Sequence, residues 1–216
     1  MKRISLIVPC LNEEEAIPAF KQEIDRVFKE CLEGYAPELI FVDDGSTDRS
    51  LEMIKKMAEH SPEVKFISFS RNFGKEAAIY AGLEAATGDY AAVMDVDLQD
   101  PPSLLPDMLK AIEKEGYDCA GTRRVTRQGE PLLRSFFARA FYKTIHQISN
   151  TRIVDGARDY KLMTRPVLEA LLSLKEYNRF SKGLYEWVGF RTKWFEYENV
   201  ERVAGETKWS CLLYTS

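Results

Sequence analysis

Tyr90-Ala91-Ala92-Val93-Met94-Asp95-Val96-Asp97-Leu98-Gln99-Asp100-Pro101-Pro102 holds a strand, a chemically loaded end and a helix start in one run. Residues 90–94 are apolar and of strand length. The strand closes on Asp95, and Pro101-Pro102 opens a helix that continues to about Glu115. The same order recurs upstream. Ile4 to Val8 is a short β-branched run stopped by Pro9. Asn12 is placed to cap the helix that follows, with Glu13, Glu14 and Glu15 in its first turn, where the positive end of the helix dipole favours them. Ala16, Phe20, Ile24, Val27 and Phe28 give that helix one apolar face, ending near Gly34. Glu38 to Val42 is a second strand running into Asp43-Asp44-Gly45-Ser46, followed by a helix over about Ser50 to His60. Val64 to Ser68 is a third strand, and Lys75 to Ala86 a helix ended by Thr87-Gly88.

Strand and helix alternating four times predicts an α/β fold, a doubly wound and mostly parallel sheet covered on both faces. Ligands bind such sheets outside the carboxyl ends of the strands. The most polar segments fall at those ends: Pro9 to Glu13, Asp43 to Asp48, Ser70 to Lys75 and Asp95 to Asp100. Their convergence is the main evidence for an active site. Beyond about residue 120 the alternation fades, with no linker and no internal repeat.

The 216 residues fit one large domain, or one domain plus an appendage, long enough to bury roughly 70% of the unfolded surface without staples. Hydrophobic residues at 45% and charged residues at 30% exclude disorder, collagen-like repeats and a disulfide scaffold. A net charge of -4 argues against a general nucleic-acid binder. Cys10, Cys31, Cys119 and Cys211 are scattered, so zinc is disfavoured and reduced thiols in a cytosolic compartment are expected. No signal peptide is evident, and no apolar window reaches the 18 residues of a membrane span.

In Asp95-Val96-Asp97 the period-two rule of a strand places both carboxylates on one face. Two hard oxygen ligands at a strand end suit Mg²⁺ or Mn²⁺ shared with a substrate diphosphate. Asp44 is placed to accept from a base N–H or a ribose hydroxyl; the alternative is an Asx-turn with Asp48 or Thr47 capping the next helix. A dehydrogenase is disfavoured because no glycine follows the first strand, and no P-loop motif is present. Lys75, after Arg71-Asn72-Phe73-Gly74, offers a cation beside helix N–H groups for a phosphate or a base. Leu132 to Ile148 carries Leu133, Phe136, Phe137, Ala140, Phe141, Ile145 and Ile148 at helical spacing, with Arg134, Arg139 and Lys143 interleaved and no acid. That is the pattern of a helix lying in a membrane interface; the alternative is a core helix with solvated arginines. His60 and His146 have no triad partners at suitable spacing, so a hydrolase triad lacks a base.

Taken together, Val8-Pro9-Cys10-Leu11-Asn12-Glu13, Val42-Asp43-Asp44-Gly45-Ser46-Thr47-Asp48 and Asp95-Val96-Asp97-Leu98-Gln99-Asp100-Pro101-Pro102 resemble the family 2 glycosyltransferases. The nearest branch is the polyprenyl-phosphate transferases, which include dolichol-phosphate mannose synthase and bactoprenol glucosyltransferases. Arg71 to Lys75, Gly121-Thr122-Arg123, Asp159-Tyr160-Lys161-Leu162-Met163 and Ala204-Gly205-Glu206-Thr207-Lys208-Trp209 fit the same branch, so the resemblance covers about residues 3–210.

The resemblance implies the A-type nucleotide-diphospho-sugar transferase fold, a UDP- or GDP-linked sugar donor and an isoprenoid phosphate acceptor. Pro9, Leu11, Glu13, Asp44 and Lys75 would line the nucleotide pocket, with Leu11 replacing a tyrosine common there. Asp95 and Asp97 would hold Mg²⁺ or Mn²⁺ and the diphosphate, with Gln99 beside them. Asp159 falls at the position treated as a candidate base. Arg123, Arg139 and Lys208 would meet the acceptor phosphate. The expected function is inverting sugar transfer to a polyprenyl phosphate at the cytoplasmic face of the membrane. A sugar-hydroxyl acceptor in glycan assembly and a non-catalytic nucleotide-sugar module are the alternatives. Residues 1–120 would form the nucleotide-binding half and 121–210 the acceptor half. Residues 211–216 match nothing in the family pattern, which leads to the expectation of a chain truncated before membrane helices.

Overall fold

The computed structural model describes residues 1–124, 154, 156–176 and 179–197. Among these, seven strands form one sheet: β1 (Lys2–Cys10), β2 (Tyr35–Asp43), β3 (Val64–Ser68), β4 (Tyr90–Val93), β5 (Cys119–Arg124), β6 (Ala157–Thr164) and β7 (Thr192–Tyr197). Their order is β3-β2-β1-β4-β6-β5-β7. β1 runs parallel to β2 and β4, and β2 to β3. β6 is antiparallel to both β4 and β5, and β7 parallels β5. The sheet is therefore mostly parallel with one reversed strand, as expected for the fold class; the reversal itself lies where the alternation in the sequence fades.

The helices are α1 (Ile17–Cys31), α2 (Ser50–His60), α3 (Lys75–Ala85), α4 (Leu105–Glu115), α5 (Arg165–Ser173) and α6 (Ser181–Trp187). One sheet face buries Ile4, Leu6, Val8, Leu39 and Phe41 against Phe20 and Ile24 of α1, Ile54 of α2 and Met108 of α4. The other buries Ile7, Ile40, Val42 and Val93 against Ala78 and Ile79 of α3, Val167 and Leu168 of α5 and Tyr185 of α6. Burial on both faces is why β1 and β2 read as nearly continuous apolar runs. Gly82 of α3 lets that helix lie close on the sheet: a Cβ there would stand 2.3 Å from a methyl of Ile7.

Three local readings are corrected. Pro9 does not stop β1, which pairs through Pro9↔Val42 to Cys10↔Asp43; proline lacks only a donor, which a strand end tolerates. Asn12 does not cap α1, which begins at Ile17 after an Ala16 with no capping side chain. Asn12 instead takes a left-handed conformation, φ 53°, a geometry that short polar side chains accept. β4 ends at Val93, so strand alternation does not extend to Asp95 and Asp97; a turn with Leu98 at φ 56° sets their placement.

At the amino end of the parallel strands, buried Glu38 closes the sheet. It accepts hydrogen bonds from the Ser5 hydroxyl, from Thr87 N at 2.9 Å and Oγ1 at 2.6 Å, and from Lys65 Nζ at 2.5 Å. Burial works against its charge, but these donors outweigh it and hold the carboxyl down at about 2.

Candidate active site

At the opposite, carboxyl end, the loops are stitched to one another in chain order. Asn12 Oδ1 accepts from Thr47 N at 2.7 Å, and Asn12 N donates to Ser46 Oγ at 2.9 Å. Glu13 N donates to Ser50 Oγ at 2.7 Å, and Glu14 N to Asp48 Oδ2 at 3.2 Å. Asp48 Oδ1 also receives Ser50 N at 2.9 Å, so it serves the start of α2 as well as the neighbouring loop. Pro9, Leu11 and Glu13, half-buried, belong to this braced first loop.

The second loop is tied to the third by Asp44. Its buried carboxylate accepts from Phe73 N at 2.7 Å and Gly74 N at 3.0 Å. A carboxylate has about four acceptor positions, so these bonds leave capacity for a further donor. Gly45 makes the approach possible: it sits at φ 77°, and a Cβ would lie 2.6 Å from the Arg71 carbonyl carbon. Arg71 stacks over the Phe73 ring at 4.2 Å, outside this seam.

Lys75, the first residue of α3, reaches across to the other half of the sheet. Its Nζ lies 2.6 Å from Asp95 Oδ1 and 2.6 Å from Asp159 Oδ2 on β6. Burial opposes the ammonium charge, but the two carboxylates more than compensate and hold Lys75 protonated well above the ordinary lysine range. Asp159 is also buried, which disfavours its charge; Lys75, then Lys182, reverse that and hold its carboxyl below the usual aspartate range. Lys182 of α6 stands 3.8 Å from the second oxygen, Asp159 Oδ1. Asp95, Lys75, Asp159 and Lys182 thus form a ladder of alternating charge.

Asp97 is buried, and its Oδ1 accepts from Gln99 N at 3.1 Å. The far end of this loop is pinned by Asp100, which takes Arg158 Nε at 3.0 Å and the Tyr197 hydroxyl. Arg158 and Asp159 are neighbours on β6, so one strand holds the Asp95–Asp100 loop from one face and completes the charge ladder on the other. Among the described residues, no group of three or more His, Cys, Asp or Glu is positioned to hold a metal ion by itself. The donor set instead fits an ion shared with phosphate oxygens: two carboxylates, one of them partly open at 23% exposure.

The structure therefore brings Lys75, Asp95 and Asp159 into direct contact, with Asp44 one residue away through Gly74. Arg123, on the same sheet face as Asp159 by its pairing with Ala157, is held by Glu196 of β7. Arg139, Lys208, the segment 132–148 and the tail 211–216 lie outside the described residues. Lys182, Arg158, Asp100 and Tyr197 were not singled out from the sequence. Asp100 stood inside a quoted motif; the other three sit in the region without a readable pattern.

The family model for glycosyl transferase family 2 matches residues 5–172, which include Asp44, Lys75, Asp95, Asp97, Asp100, Arg158 and Asp159. The chain belongs to that family. CsbB of Bacillus subtilis is 44% identical over 207 residues, 96% of this chain and 62% of that protein. A prophage bactoprenol glucosyl transferase homolog of Escherichia coli K12 is 42% identical over 208 residues, 96% of this chain and 67% of that one. The chain thus spans about two thirds of the length of these relatives. Among solved structures, the mannosyltransferase PcManGT of Pyrobaculum calidifontis, in complex with GDP-Man and Mn²⁺, superposes with a TM-score of 0.60. It does so at 21% identity, over 94% of this chain and 57% of that one. The architecture is the A-type glycosyltransferase fold. Among the described residues no helix is long and apolar enough to cross a membrane.

Proposed function

We propose that this chain transfers a sugar from a nucleoside-diphosphate sugar to a polyprenyl phosphate, with inversion at the anomeric carbon. The observation that carries the choice of acceptor is the state of Asp159. A carboxylate clamped by Lys75 and Lys182 and held below its ordinary range is a poor proton acceptor. A sugar hydroxyl needs a base. A phosphate monoester, with a second pKa near ~6, is already dianionic at neutral pH and does not. The similarity to a protein named for bactoprenol glucosyl transfer supports the same acceptor class.

In this reading, the braced loops at Pro9, Leu11, Glu13 and Asp44 receive the nucleotide. Asp95 and Asp97 would hold Mg²⁺ or Mn²⁺ together with the diphosphate, with Gln99 closing the turn. The ion, when bound, would neutralise charge on the departing diphosphate; the PcManGT complex contains such a pair of ligands, GDP-Man and Mn²⁺. Lys75 keeps Asp95 and Asp159 in register, so the leaving-group and acceptor sides of the cleft are mechanically linked. Asp159 acts as a positioning residue. The acceptor phosphate oxygen attacks the anomeric carbon as the bond to the diphosphate oxygen breaks; no proton need move. The Phe-rich basic segment 132–148 is proposed to lie on an anionic bilayer and bring the acceptor within reach.

The test is a screen of UDP- and GDP-sugars with a short polyprenyl phosphate and Mg²⁺ or Mn²⁺, read by the mass of the lipid. The expected product is one hexosyl phosphodiester from one donor. Donor hydrolysis without a lipid product, or transfer only to sugar hydroxyls, would overturn the proposal.

A further inference from the structure

The charge ladder at the carboxyl end of the sheet ends on a cation that is held near its partner without being bonded to it. Lys75 makes two contacts of 2.6 Å, which satisfy Asp159 Oδ2 and Asp95 Oδ1. Lys182 stands 3.8 Å from Asp159 Oδ1, within ion-pair range and beyond hydrogen-bond length. Among the described residues, no hydrogen bond occupies its three N–H donors. Its side chain is 25% exposed, so it is neither sealed in the core nor free in solvent.

The backbone that carries Lys182 is, by contrast, firmly held. Ser181 donates both its N–H, at 3.0 Å, and its hydroxyl to Glu76 Oε2, joining the start of α6 to the start of α3. Arg179 forks to the Leu174 carbonyl at 2.6 Å and the Leu171 carbonyl at 3.1 Å, and its guanidinium stacks over Tyr80 at 4.5 Å. One turn further, Glu186 pairs with buried Lys161 of β6 at 3.2 Å. A fixed stem whose ammonium makes only a long ion pair among the described residues is suited to an anion that comes and goes.

Position narrows the anion. Lys182 approaches the Asp159 oxygen that Lys75 does not use, so it stands one step beyond Lys75 from Asp95. In an inverting displacement the nucleophile meets the anomeric carbon on the face opposite the leaving diphosphate. A cation serving the nucleophile must therefore be set apart from the Asp95–Asp97 turn, and Lys182 is. Two other described cations nearby are committed: Arg158 to Asp100 on the opposite sheet face, and Arg123 to Glu196. We propose that Lys182 binds the phosphate of the acceptor and that Asp159 holds its ammonium ready between turnovers. This inference rests on the acceptor being a phosphate monoester, as proposed above.

Steady-state kinetics with a short polyprenyl phosphate test it, using Lys182→Ala and Lys182→Arg alongside the wild type. Hydrogen bonds to charged groups predict that Lys182→Ala raises the acceptor KM by about 10- to 100-fold. The donor KM and acceptor-free donor hydrolysis should stay within about twofold and the melting temperature should hold, because the backbone anchors are untouched. Lys182→Arg should recover most of the acceptor affinity. A fall in kcat with both KM values unchanged would show that Lys182 only neutralises Asp159, and would overturn the assignment. A rise in donor KM would overturn it too, placing Lys182 on the donor side. Failure of the wild type to form any lipid product would instead overturn the phosphate-acceptor reading, and this inference with it.

Discussion

Two carboxylate clusters sit at opposite ends of one sheet and are wired differently. At the amino end, Glu38 is sealed among Ser5, Thr87 and Lys65, and every contact is short. At the carboxyl end, Asp95 and Asp159 share Lys75, and the ladder stops at Lys182, 3.8 Å from its partner. The first cluster spends its charge on closing the sheet. The second lies among the braced loops and leaves Asp95 and Lys182 about a quarter exposed. Buried charge with closed hydrogen bonding serves stability at the amino end, and the partly open ladder at the carboxyl end is where the proposed ligand would complete the network.

The sharpest way to break this contrast is Asp97→Asn. With Asp97 in its proposed role, its loss should remove several kcal/mol of leaving-group stabilisation, an expected drop of about 10³-fold in transfer. Circular dichroism and the melting temperature should stay near wild type. Activity within threefold of wild type at saturating Mg²⁺ or Mn²⁺ would remove Asp97 from the site.

The counterpart at the amino end is Glu38→Ala, expected to cost about 3 kcal/mol of stability while leaving the donor KM unchanged. Because the folded-state carboxyl is depressed to about 2, its contribution is complete above the unfolded value near 4.5 and is lost as pH falls through about 2. Denaturation of the wild type between pH 5 and pH 2 should show that slope, and the variant should lack it. A variant as stable as wild type at pH 7 would mean the Glu38 network is dispensable.

Asp159→Asn separates positioning from base catalysis. A positioning role predicts a loss below about 100-fold and an acidic limb in the rate profile that persists near pH ~6, because that limb belongs to the acceptor phosphate. Disappearance of the limb would make Asp159 the titrating base.

Asp44→Ala should have the smallest effect, roughly a tenfold rise in donor KM with kcat nearly kept, since nucleotide contacts are alike in ground and transition states. Titration calorimetry showing unchanged nucleotide affinity would limit Asp44 to its bonds with Phe73 and Gly74.

The two halves of the chain also differ in how much of them could be read before folding. Strands β1 to β4 and their loaded ends are legible because each buried strand is an apolar run and each helix has one apolar face. Local signals failed where tertiary contacts decide: Asn12 reaches to the Thr47 amide rather than capping α1. β6 shows the larger difficulty. Arg158, Asp159 and Lys161 lie in an interior strand, and only partners distant in sequence, Asp100, Lys75 and Glu186, make their burial tolerable. No periodicity announces such a strand or its reversed direction. Lys182 was hidden for the same reason: a lysine on a short helix reads as solvated until the fold places it beside Asp159. The family resemblance compensated for part of this by marking Asp159, but it gave no hint of the ladder.

If the open end of the ladder serves a phosphate nucleophile, the protein should choose a lipid phosphate over the matching alcohol. The most direct measurement offers the protein equimolar polyprenyl phosphate and polyprenol of the same chain length, with the productive nucleotide sugar, and weighs the products. The expected outcome is hexosyl phosphodiester from the phosphate and no glycoside from the alcohol, with the preference intact in Asp159→Asn. Comparable glycosylation of the free alcohol, dependent on Asp159, would contradict it.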